Sequence, residues 1–205
     1  MLETLTRPLN VIPVVYPVKR KKRFLHSTVY HLTPSAAHLI SLITGVKKRY
    51  MYNLCVHNNL VPLPKGFDAI TWGRKSEKAH ISLKKTFFHD DDITMQDITM
   101  WINILCHEVS HVPQINKYRF LCFGLLPYLF AHIYYYAKHL SHDKSPLERK
   151  PFASQREITA FNNYINKTVH PYALAAVLSD ASVTEADKIK QLDAWFTAYK
   201  QQKNR

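Results

Sequence analysis

The stretch Cys106-His107-Glu108-Val109-Ser110-His111-Val112-Pro113 contains the pattern H-E-x-x-H, and no other feature constrains the chain as much. On an α-helix, residues four apart lie one above the other, so His107 and His111 can offer imidazole nitrogens to a single metal ion. Glu108 then sits beside that ion. A zinc ion lowers the pKa of a bound water from about 15.7 toward 7, and a neighbouring carboxylate can take the released proton. These are the parts of metal-assisted hydrolysis, with zinc as cofactor and Glu108 as general base. The plain alternative is a surface helix carrying two solvated histidines.

The flanks favour a buried helix. From about Thr94 to Val112, the residues Ile98, Trp101, Ile102, Leu105, Val109 and Val112 form a wide apolar stripe. Pro113 is expected to end the helix. Asp90-Asp91-Asp92, just ahead of it, suits the positive end of a helix dipole. Upstream, Ala69–Gly73 and Ala79–Leu83 read as two short strands joined by a polar turn, a hairpin leading into the motif helix. An exposed edge near Ile81 could hold an extended substrate by its backbone.

Two glutamates compete to be the third ligand. Glu157 ends Ser154-Gln155-Arg156-Glu157, which fits a capping box for a helix starting at Ser154. It also shares a face with Ala160, Phe161, Tyr164 and Ile165, and a carboxylate aimed inward needs a partner such as zinc. Glu157 is the expected ligand. Glu148, in a polar loop between Pro146 and Pro151, is the rival.

Elsewhere the reading is coarser. Residues 1–24 look like an extended arm, with Pro8, Pro13 and Pro17 followed by the basic run Lys19-Arg20-Lys21-Lys22-Arg23. Thr33-Pro34-Ser35 marks a helix start and Gly45 its stop, whereas Lys47 to Val61 has no clean period. Phe120 to Ala137 is apolar and approaches the roughly 20 residues of a membrane span, but Pro127, His132 and three tyrosines argue for core packing or a flap instead. His132, Tyr134, Tyr135 and Tyr136 are candidate oxyanion donors. Leu174 to Leu178 is a short helical piece, and a last helix runs from about Thr184 to Gln201.

The 205 residues, 46% hydrophobic, can bury a substantial core. The net charge of +13 suits anionic partners, including an envelope surface or an acidic protein. No phosphate-binding loop, Cys/His finger or RNA-binding signature accompanies the charge, so no specific nucleic-acid partner is expected. Three cysteines make no disulfide framework, and Cys106 is expected to pack in the core rather than bind metal. The first residues lack the basic flank and apolar run of an ordinary secretory signal.

Taken together, the strands at 69–83, the segment Leu105-Cys106-His107-Glu108-Val109-Ser110-His111-Val112-Pro113-Gln114, an aromatic insertion and Arg156-Glu157-Ile158-Thr159-Ala160-Phe161 resemble the zinc metallopeptidase-like domains of bacterial polymorphic toxins. The similarity is greatest to effector domains linked to type VI secretion spike proteins and covers roughly residues 69 to 165. The resemblance implies an α+β, mainly helical, zincin-like domain at 25–205, with a small sheet beside the motif helix. It implies zinc held by His107, His111 and Glu157, Glu108 as general base, and a peptide or protein substrate. It further implies delivery into a target cell's periplasm and a cognate immunity protein. The alternative is a membrane-active or binding toxin module whose zinc site is structural.

Overall fold

The computed structural model describes residues 15–18, 29–58, 68–73, 75–84, 93–117, 126–139 and 144–205. The basic run at 19–23, Asp90 to Asp92 and residues 120–125 lie outside that set. The strands are β1 (Val15–Val18), β2 (Val29–Leu32), β3 (Cys55–Asn58), β4 (Ala69–Gly73) and β5 (Ala79–Leu83). The helices are α1 (Pro34–Thr44), α2 (Met95–Lys117), α3 (Leu126–His139), α4 (Arg149–Thr168), α5 (Ala173–Ser179) and α6 (Glu185–Lys203). The fold is α+β and mainly helical, with a small mixed sheet against the motif helix.

The sheet order is β1-β2-β3-β5-β4, antiparallel throughout except where β3 runs parallel to β5. The expected hairpin is present: β4 and β5 pair from Ala69↔Leu83 to Gly73↔Ala79 across a short 3-10 turn at Ser76–Lys78. Ile81, however, is not on an edge. β5 is paired on both sides, and among the described residues the free edge beside the hairpin belongs to β4. The stretch read as an arm also contributes β1, which pairs with β2 from Val15↔Leu32 to Val18↔Val29.

Local signals set several ends. Thr33 caps α1, its hydroxyl accepting from the Ala36 N–H, and Gly45 closes it at φ +68°, a left-handed conformation that glycine adopts without steric cost. Thr184 caps α6 through the Asp187 N–H. Along α2, Ile98, Trp101, Ile102, Leu105, Val109 and Val112 are buried as their spacing demands.

Pro113 does not end α2, which runs four residues further. A proline inside a helix costs about 3 kcal/mol. Tertiary contacts beyond it offset that cost. Ile115 is fully buried, Asn116 Oδ1 accepts from the Ser76 N–H at 3.0 Å, and the Ser76 hydroxyl donates to the Val112 carbonyl at 2.6 Å.

Helix α4 starts earlier than the capping box suggested, at Arg149 rather than Ser154. Pro151 falls in its first turn, where the missing N–H has no intrahelical partner to lose. The Phe152 N–H donates to the Glu148 carbonyl at 2.9 Å, closing that turn. Ser154 is therefore interior, buried and hydrogen-bonded to Ser110 of α2 at 2.8 Å. That bond ties the two longest helices together where the motif sits.

Candidate metal centre

Helix periodicity puts His107 and His111 on one face of α2, and the turn before α4 brings a carboxylate to them. The three donor atoms of His107, His111 and Glu148 all lie within 4.8 Å of one another. Glu148 Oε2 is 3.2 Å from His107 Nε2 and 3.4 Å from His111 Nε2. Two ligands bound tetrahedrally at about 2.05 Å would stand roughly 3.3 Å apart, so both spacings are those of a zinc-sized ion's coordination shell.

Glu148 reaches the site because its backbone is held from both sides. Its N–H donates to the Ser145 carbonyl at 3.0 Å, and its own carbonyl begins α4. Its side chain makes no capping bond and is completely buried. From α3, His132 Nδ1 lies 3.7 Å from Glu148 Oε1, so a third imidazole faces the other carboxylate oxygen. The Phe152 ring lies edge-on to His107 at 5.1 Å and helps fix its plane.

The proton arrangement argues for a cation. Gln114 Nε2 donates to the Leu147 carbonyl at 2.7 Å, which turns its Oε1 toward His111 Nδ1 at 3.1 Å. A carbonyl cannot donate, so the amide orientation is fixed and His111 Nδ1 must carry a hydrogen. In the neutral ring Nε2 then presents a lone pair to Glu148 Oε2. Two lone pairs facing each other across a buried site repel unless a proton or a metal ion lies between them. Accordingly, although burial lowers the His111 pKa, the bond to Glu148, the charges of Glu108 and Glu148 and the bond to Gln114 raise it above its ordinary value. The residues present thus form a buried group able to bind a metal ion.

Glu108 is buried and anchored. The Thr71 hydroxyl of β4 lies 2.6 Å from Glu108 Oε2 and 2.9 Å from its carbonyl oxygen, a donor shared between two acceptors. Cys106 is buried in the core as expected, and burial pushes its thiol far above the ordinary range, so it is not a ready thiolate ligand.

Glu157, the expected third ligand, is elsewhere. It lies nine residues beyond Glu148, about 13 Å along α4 at 1.5 Å per residue, and Lys200 and Lys203 of α6 bind its two oxygens. Burial raises its pKa, but the two lysines outweigh that and pull it below the usual carboxylate value. Glu157 is half-buried between α4 and α6 rather than pointing into the core, and its partner is a pair of partly exposed ammonium groups. Glu148 is the carboxylate that stands beside His107 and His111, because the turn at 145–148 packs against α2 through Gln114 and Leu147.

Of the proposed oxyanion donors, His132 belongs to the site, while Tyr134 is 57% exposed. The described part of the apolar segment is α3, a 14-residue helix that exposes Phe130, Ile133 and Tyr134. Among the described residues no helix is long and apolar enough to cross a membrane. The roles of Thr71 and Gln114 were not foreseen from the sequence, although Gln114 stands within the segment Leu105 to Gln114. Gln114 alone left a trace, standing three residues after His111 on the same helix face. No family model matches the chain, and comparison with curated proteins and with solved structures gave no match.

Proposed function

We propose that the chain is a zinc-dependent hydrolase cleaving a peptide or amide bond, with His107, His111 and Glu148 as ligands and Glu108 as general base. The observation that carries this reading is the convergence of two imidazole nitrogens and one carboxylate at coordination spacing, beside a second, anchored carboxylate. Zinc held there would supply a Lewis acid for the scissile carbonyl and would lower the pKa of an attacking water. Glu108 Oε accepts the proton of that water as its oxygen adds to the carbonyl carbon. The same carboxyl then delivers the proton to the leaving nitrogen as the C–N bond breaks. Thr71 keeps Glu108 in register with β4, whose free edge can align a substrate backbone beside the base. His132 Nδ1 faces the second oxygen of Glu148 at 3.7 Å.

The biological setting is part of the same proposal: an antibacterial effector exported by a specialised secretion system, acting in the target periplasm and neutralised by an immunity protein. The +13 charge supports an acidic partner or an anionic envelope. A second reading, in which the metal is structural and α3 disturbs membranes, draws on the exposed Phe130, Ile133 and Tyr134.

Glu108→Gln separates them. Under the hydrolase reading the variant binds zinc as wild type does but loses toxicity in the periplasm and cleavage of peptide substrates, by at least 100-fold. Undiminished toxicity with zinc still bound would favour the second reading.

A further inference from the structure

The sheet carries a second group of metal-binding side chains on the face turned away from α2. Cys55 and His57 are two apart on β3 and therefore point the same way, and the parallel register sets His80 of β5 directly beside Cys55. The alternate positions Val56 and Ile81 are fully buried, and Ile81 pairs with Thr71, the residue bonded to Glu108 of α2. Cys55, His57 and His80 thus occupy the opposite side, and their donor atoms also lie within 4.8 Å of one another.

The arrangement is built rather than incidental. Cys55 and His57 are buried. His57 Nε2 and His80 Nδ1 share a hydrogen bond at 2.8 Å, so the two nitrogens face each other. The Trp72 ring of β4, opposite His80 in register, stacks on its imidazole at 4.3 Å and 14°, fixing the plane in which its nitrogens aim. Opening the two nitrogens by about half an ångström gives the roughly 3.3 Å spacing of neighbouring ligands on a tetrahedral ion.

We propose that Cys55, His57 and His80 form a second metal site, distinct from the one on α2, which takes zinc through one thiolate and two imidazoles. A sulfur and two nitrogens suit a borderline-soft transition metal and not magnesium or calcium. Binding deprotonates the Cys55 thiol and releases that proton to solvent, and the hydrogen shared by His57 and His80 moves to the far nitrogen of its ring, so that both facing nitrogens present lone pairs. The ion adds a bond between β3 and β5 to the His57–His80 contact already there, and so stiffens the sheet on which Thr71 holds Glu108.

Cobalt(II) added to the metal-free protein distinguishes the two sites, because the His107, His111 and Glu148 set contains no sulfur. The expected spectrum has a near-ultraviolet thiolate-to-cobalt charge-transfer band, present in wild type and in Glu148→Gln and lost in Cys55→Ser and His80→Ala. It must also persist in a Cys106→Ala, Cys122→Ala double variant, where Cys55 is the sole thiol, so the test stands even if Cys55→Ser fails to fold. Absence of the band in wild type and the double variant, or its survival in folded Cys55→Ser, would overturn the proposal.

Discussion

Thr71 and Glu157 show how single side chains assign roles to carboxylates. Thr71 gives Glu108 a neutral hydrogen bond, which orients it. Thr71→Val keeps the shape and removes the donor. Catalytic rate is expected to fall about 10- to 100-fold with zinc retained, and stability by roughly 1–3 kcal/mol because a buried acceptor is left unpaired. Rate and zinc content measured on the same preparation check this. Glu157 is different, since two partly exposed lysines hold it. Glu157→Gln is expected to cost only about 1 kcal/mol, as partly solvated ion pairs do, and to leave zinc binding unchanged. Its pKa is lowered on folding, so the stabilisation is complete above the unfolded carboxylate pKa and fades as pH falls through the lower folded value. Denaturation of both proteins at pH 7 and at successively more acid pH should show the difference shrinking only on the acid side.

At the scale of elements, α2 was legible because its apolar stripe and its two histidines share the helical period, and both emerged as expected. The starts of α1 and α6 were legible for the same kind of reason, a threonine cap. What escaped depends on contacts between distant residues. Pro113 reads locally as a stop, and only the burial of Ile115 and the bonds of Gln114 and Asn116 explain why the helix continues. Ser154 reads as a cap until Ser110 is seen against it. Strands β1, β2 and β3 are four residues each, too short to carry a period, and become strands by pairing. The extra turn of α2 matters to the metal, because Gln114 joins it to the lead-in of α4 and sets the His111 tautomer. Gln114→Leu should weaken zinc binding 10- to 100-fold, the usual cost of losing a ligand's supporting bond, while circular dichroism stays the same. Competition with a chromophoric chelator measures it.

Across the whole molecule, two parts of the chain far apart in sequence have to meet before there is a site: the motif helix and the turn at 145–148. Sequence supplied the first and both candidate carboxylates, but the choice between Glu148 and Glu157 turns on where α4 begins and on what α6 places against it. A capping pattern and an amphipathic face are local, whereas Lys200 and Lys203 approach from more than forty residues away. Elemental analysis of zinc per chain in wild type, Glu148→Gln and Glu157→Gln, each reconstituted and dialysed identically, addresses the assignment most directly. Glu148→Gln should hold one zinc fewer per chain than wild type and Glu157→Gln the same number. Loss of zinc on changing Glu157, with Glu148→Gln fully loaded, would contradict the site described for His107, His111 and Glu148.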